Sequence, residues 1–196
     1  MEYEGLMKEA IGAFYEADYF KAGGLEGIGP NQITPLVVAD LNISRANLVN
    51  PTALPGKTIT LHDAGHSQEA KPGSHTEILV SGLRQVSLAL AELKQAQFPF
   101  LFESHGKELI VQPLPDTVAN RQRLQQWVQQ KAQKDLQSID ALYRDTLKRA
   151  RTMSWGGADE WYEKASNESM LMALHDQACS HVRQAREHAL ARLRAK

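Results

Sequence analysis

A chain of 196 residues suits one large domain or two small ones, and 42% hydrophobic residues are enough for a real core. The net charge of −1 at pH 7 excludes a bulk attraction to nucleic acid or to acidic surfaces, so any such contact has to come from a local patch. The single cysteine, Cys179, excludes a disulfide framework and a cysteine-based metal knuckle, and no apolar run approaches the ~20 residues of a membrane span.

The chain opens without a secretory pattern. Residues 3–20 read as a helix, with Tyr3, Leu6, Ala10, Ala13, Ala17 and Phe20 in one apolar stripe. Its polar face is acidic, with Glu2, Glu4, Glu9, Glu16 and Asp18 against Lys8. The segment AGGLEGIGP (22–30) is expected to break that helix, because glycine and proline punctuate.

Residues 31–112 have a different pattern. ITPLVVADL (33–41), KTITLHD (57–63) and TEILVSG (76–82) read as strands, rich in β-branched residues with turn signals between them. AGHSQEAKPGSH (64–75) is a polar loop. LRQVSLALAELKQA (83–96) is an amphipathic helix with Leu83, Val86, Leu90 and Leu93 on one face, and FPFLFESHGKELIVQP (98–113) is a hairpin turning at His105–Gly106. His62, Asp63, His66 and His75 gather around one loop. They lack the regular spacing of a ligand set and read as polar surface, so no metal and no cofactor are expected. No nucleophile motif and no phosphate loop occur: GGLEGIG (23–29) follows a helix and lacks the lysine that a phosphate loop carries.

Beyond Pro115 the pattern is helical. Thr117 is the expected N-cap of a helix from Val118 to about Met153, with Leu124, Val128, Ala132, Leu136, Ile139 and Leu142 as its stripe. At ~1.5 Å per residue such a helix is roughly 50 Å long. SWGGADEW (154–161) breaks it, with Asp159 as candidate cap. A second long helix then runs to the end on Leu171, Leu174, Ala178, Val182, Ala185, Ala189 and Leu193. Cys179 reads as a small apolar residue on that helix, and Trp127, Trp155 and Trp161 as packing residues.

Each of the three helices has one apolar stripe that it cannot bury alone. The expected class is therefore α+β: a long three-helix bundle from residues 1–30 and 114–196, with residues 31–113 inserted as a small β/α domain. The chain crosses between the parts near residues 27–32 and 112–117. Pro30, Pro113 and Pro115 make these crossings stiff and mark them as hinge positions, since proline fixes φ and removes a donor.

VQPLPDTVANRQRL (111–124) followed by KAQKDLQSIDALYRDTLKRA (131–150) resembles the ribosome recycling factor family. Pro113-Leu114-Pro115, Thr117, Arg121, Leu124 and Arg144-Asp145 fall on that family's pattern, allowing a one-residue gap. GPNQITPLVVADL (29–41) is similar to its approach to the small domain through Pro30 and Val37-Val38. The resemblance covers nearly the whole chain and implies an L-shaped protein. It implies a binding protein and not an enzyme: a monomer off the ribosome that binds large-subunit ribosomal RNA and, with the GTPase elongation factor G, separates the subunits after termination. The sequence departs from the family where its Arg-x-Gly-Arg stretch reads GLEG, with Gly24 and Gly27 in place of arginines, and where two arginines read Asp140 and Tyr143. Such divergence fits an organellar member, in the mitochondrial matrix, with a bacterial cytoplasm as the alternative. It also fits a protein retained as a large-subunit assembly or structural factor.

Residues 118–152 supply the local patch that the net charge does not. Arg121, Arg123, Lys131, Lys134, Arg144, Lys148, Arg149 and Arg151 stand against Asp135, Asp140 and Asp145, a local charge of +5. Arg144, Lys148 and Arg151 share a face at i, i+4 and i+7, with Lys134 and Lys131 near the same stripe. The resemblance marks Arg121 and Arg144 as RNA-binding. Lys134, Lys148 and Arg151 join them by position. A solvated helix face, a base stacked on Tyr143 and a protein-binding coiled-coil adaptor are the rival readings.

Overall fold

Helix formation over the first residues follows the expected periodicity but runs further. The structure, a computed structural model, describes residues 2–30, 47–48, 58–63, 75–81, 100–105, 108–153 and 158–195. Helix α1 spans Glu2–Ala17, passes into a π-helical turn at Asp18–Ala22, and resumes as α2 at Gly23–Glu26. The glycines at 23 and 24 therefore lie inside the helix, which ends within the expected segment 22–30 but later in it. A helical glycine costs about 1 kcal/mol relative to alanine, and burial of the neighbouring Leu25 at 1% exposure outweighs that locally. The true end is at Gly27, whose N–H still bonds the Gly23 carbonyl at 3.2 Å.

The buried stripe of α1 is Leu6, Met7, Ala10 and Phe14. Tyr3, Ala13, Ala17 and Phe20 are only partly buried. Positions 3, 7, 10, 14 and 17 alternate steps of four and three, so the seam follows the large side chains Met7 and Phe14 and leaves Ala13 at its edge.

Strands β1 (Asn47–Leu48), β2 (Thr58–Asp63), β3 (His75–Ser81), β4 (Phe100–His105) and β5 (Glu108–Pro113) form one sheet in the order β1-β3-β2-β5-β4. β2 and β3 run parallel, with Thr58 opposite His75, while β1–β3, β2–β5 and β4–β5 are antiparallel. The expected strands at 57–63 and 76–82 and the hairpin at 98–113 are present, and His105 pairs with Glu108 across its end. The expected strand at 33–41, the helix at 83–96, His66 and Trp155 lie outside the described residues, as do the side chains of His62, Asp63, His75 and Trp161.

Helix α3 spans Val118–Thr152 and α4 spans Ala158–Arg194. Thr117 is the N-cap of α3: its backbone is extended and its Oγ1 accepts from the Asn120 N–H at 3.2 Å. Asp159 lies inside α4, whose first residue is Ala158, and its side chain is outside the described ones. Every residue of the expected α4 stripe is buried except Leu174, which is half-buried, and Cys179 is buried beside them.

Residues from both ends of the chain share one core. Leu6, Phe14, Leu25, Ile28, Leu124, Val128, Ile139, Leu171, Val182 and Leu193 belong to it, and Phe100 at the start of β4 joins them. Fully burying a side chain of this size stabilises by about 1.5–3 kcal/mol, so the core is the main source of stability for α1, α3 and α4 together. The described residues thus combine long helices with one mixed sheet, an α+β chain.

Candidate nucleic-acid interface

Two strong constraints fix how α3 sits. Its buried side is set by Leu124, Val128, Ala132, Ile139 and Ala150. One carboxylate, Asp135, is buried with them. It accepts from the Lys131 ammonium through both oxygens at 2.7 Å, and Lys21 in the π-helical turn lies 3.4 Å away. Lys131 is therefore turned inward as a partner of Asp135 and is not part of an outward stripe, which corrects its expected placement.

The opposite side of α3 is fully exposed. At 3.6 residues per turn, Arg123, Lys134, Arg144, Lys148 and Arg151 fall within an arc of about 100°, centred opposite the buried stripe. All five are exposed, and so are Gln126, Gln130, Gln133 and Gln137 within the same arc. No carboxylate of α3 lies inside it. Asp145 borders one edge, and Asp140 the other, where it is held by His175 at 2.6 Å. None of the five cations makes an ion pair with a described residue, whereas Arg149, about 60° round the helix from the edge of the arc, reaches Glu9 of α1 at 3.6 Å. The result is a stiff rod with one face of unpaired cations spaced by glutamine amides. Such a face can neutralise a line of phosphates and offers amide donors and acceptors between them.

Arg121 sits apart from this face. Its Nε and Nη2 donate to the two oxygens of Asp116 at 2.6 and 2.9 Å, and its Nη1 donates to the Ala195 carbonyl at the end of α4. The hydrogen bond from Arg121 holds the Asp116 carboxyl below the usual range and raises the guanidinium in turn. Gln125, one turn on, donates to the Leu193 carbonyl at 3.3 Å. Together they close the base of α3 onto the base of α4.

The joint before α3 is pinned as well. Pro113 is the last residue of β5 and pairs with Phe100. Leu114 is 8% exposed, and the Pro115 carbonyl accepts from the Thr117 N–H at 2.9 Å and from the Asn120 side-chain amide at 2.8 Å. Phe100 meets Trp127 of α3 edge-on, with ring centroids 6.3 Å apart. At the other crossing Pro30 follows buried Ile28 and Gly29. GLEG (24–27) presents no cation, and its Glu26 accepts from His188 and Arg192 of α4.

Tyr143 is half-buried and lies against the His175 ring with centroids 4.8 Å apart. Sequence reading missed this neighbourhood: Asp140, His175 and Cys179 bring an oxygen, a nitrogen and a sulfur within 4.8 Å of one another. The i, i+4 spacing of His175 and Cys179 on one helix was the available signal.

No protein-family model matches the chain, and no curated protein matches it.

Proposed function

We propose that the protein is a ribosome-recycling-factor-like RNA-binding protein, built as a three-helix bundle with an inserted β/α domain and acting on the large ribosomal subunit. The observation that carries this reading is the exposed, carboxylate-free face of α3 bearing Arg123, Lys134, Arg144, Lys148 and Arg151. A helix longer than ordinary globular helices, stiffened by packing along its whole inner side, keeps those cations in one line against a phosphate backbone. Arg144 and its neighbours on the arc make the contact, whereas Arg121 secures the base of the helix. Pro113 and Pro115, between β5 and α3, are the hinge positions about which the sheet and the helices turn as rigid parts, which is what a factor moved by a translocase requires.

The departures at Gly24, Gly27, Asp140 and Tyr143 favour a second reading, retention on the large subunit as an assembly or structural factor. A splitting assay separates the two. Joined ribosomes are incubated with the protein, an elongation-factor-G-type translocase and GTP, and free subunits are measured by light scattering. Splitting that needs all three components supports recycling. Binding to large subunits without splitting supports the assembly reading.

A further inference from the structure

The geometry points to a binding site for one divalent transition-metal ion of the zinc class, formed by Asp140 of α3 and by His175 and Cys179 of α4. This site lies off the cation-bearing face and does not depend on the ribosomal reading.

The three residues supply the donor types that a borderline ion takes: carboxylate oxygen, imidazole nitrogen and thiolate sulfur. A tetrahedral ion with arms of about 2.0–2.3 Å sets its ligand atoms about 3.3–3.8 Å apart. His175 Nε2 and Cys179 Sγ are 3.7 Å apart, already on that edge. Asp140 Oδ1 sits closer, 2.6 Å from Nε2, because a proton bridges the two where the ion would lie. Asp140 is the most exposed of the three, with its side chain 47% exposed, so its carboxylate has room to rotate off Nε2 and toward Cys179, drawing in a set of ligand atoms that spans 4.8 Å. Its exposure also gives the ion a path in and leaves a fourth position to solvent, as in sites with three protein ligands.

The surroundings are arranged for a ligand histidine. Nδ1 of His175 bonds Asp176 Oδ1 at 2.9 Å, which fixes the ring orientation and directs Nε2 inward. Tyr143 covers one face of the ring. Burial, with the Asp140 and Asp176 carboxylates, pushes the Cys179 thiol up, and Arg183 acts against them. Binding replaces the Nε2 proton of His175 and the thiol proton of Cys179, and both leave to solvent as the metal–nitrogen and metal–sulfur bonds form.

Because Cys179 is the only cysteine in the sequence, cobalt(II) alone is a decisive probe. The full-length protein is titrated with cobalt(II), and the near-ultraviolet thiolate-to-metal charge-transfer band is followed. The expected result is a band saturating at one ion per monomer. It is abolished in Cys179→Ala, weakened more than about 100-fold in affinity in His175→Gln, and weakened about 10–100-fold in Asp176→Asn. Asp140→Asn, an exposed change that leaves the core intact, should also weaken it. Circular dichroism of each variant checks that the helices persist. No band at saturating cobalt(II) overturns the proposal. So does cobalt(II) bound with a histidine-only spectrum, or a band of unchanged affinity in Asp140→Asn and His175→Gln.

Discussion

Arg192 near the end of α4 donates through Nε to the Ile28 carbonyl at 3.0 Å, just past the end of α2. The same guanidinium reaches the Glu26 carbonyl at 2.6 Å and the Leu25 carbonyl at 3.4 Å through Nη2, and the Glu26 carboxylate at 3.3 Å through Nη1. It occupies the carbonyls that the end of a helix leaves open, where a positive charge also meets the negative end of the dipole. With Arg121 reaching Ala195 from the other crossing, both points where the chain passes between helices and sheet are tied to the last turn of α4.

Arg192→Ala is therefore expected to destabilise the protein by about 1–3 kcal/mol, the range for charge-assisted bonds whose acceptors are left partly buried. Arg192→Lys should recover less than half of the loss, because an ammonium cannot span three carbonyls with a planar fork. Urea unfolding followed by circular dichroism reads both. Equal stability of Arg192→Ala and wild type would remove the clamp from the account.

Asp135 gives a larger effect. Its carboxylate is 4% exposed and carries two lysines. Asp135→Ala removes the buried carboxylate that Lys131 and Lys21 share, and breaking a buried pair in this way costs about 3–5 kcal/mol. Removing the lysines as well, in Lys21→Met/Lys131→Met/Asp135→Leu, should restore most of the stability, because a buried pair replaced by apolar side chains of similar volume is close to neutral. A triple variant as unstable as Asp135→Ala would contradict that assignment.

Much of the architecture was legible because it rests on local periodicity. The α4 stripe from Leu171 to Leu193 and the Thr117 cap are written in spacing and residue type alone. What was not legible depends on partners remote in sequence. A lone aspartate on a helix reads as surface; Lys131 four residues earlier is the closer partner of Asp135, but its second cation, Lys21, arrives from 114 residues away. Gly23 and Gly24 read as a break because glycine propensity is local, while packing of α2 against α4 is not. The cation face was only partly legible. Arg144, Lys148 and Arg151 share a face by spacing, but Lys131 could not be removed from it, nor Arg123 added, until the buried side of α3 was known. Asp140 and His175 stand 35 residues apart on different helices, so their meeting had no sequence signal.

Asp116 titrates below the ordinary aspartate value of about 3.9, since the hydrogen bond from Arg121 favours its charged form. A depressed carboxyl contributes stability above its unfolded value and loses it as pH falls through the folded value, so this contact is present at neutral pH and disappears only below about pH 4. Carboxyl-carbon NMR of Asp116 should show the low midpoint, and Arg121→Gln should return it to the ordinary value. A midpoint unmoved by Arg121→Gln would assign the shift elsewhere.

The central claim is that the outward face of α3 binds ribosomal RNA. The most direct measurement is co-sedimentation with purified large ribosomal subunits at low and moderate salt, comparing wild type with Arg144→Glu and Lys148→Glu. These side chains are exposed and make no ion pair with a described residue, so the substitutions leave the fold intact. The wild type is expected to bind in a salt-sensitive manner and each variant several-fold more weakly, with a salt slope reduced by about 1 for each lost phosphate contact. Absence of binding at either salt, or variants that pellet as the wild type does, would contradict the claim.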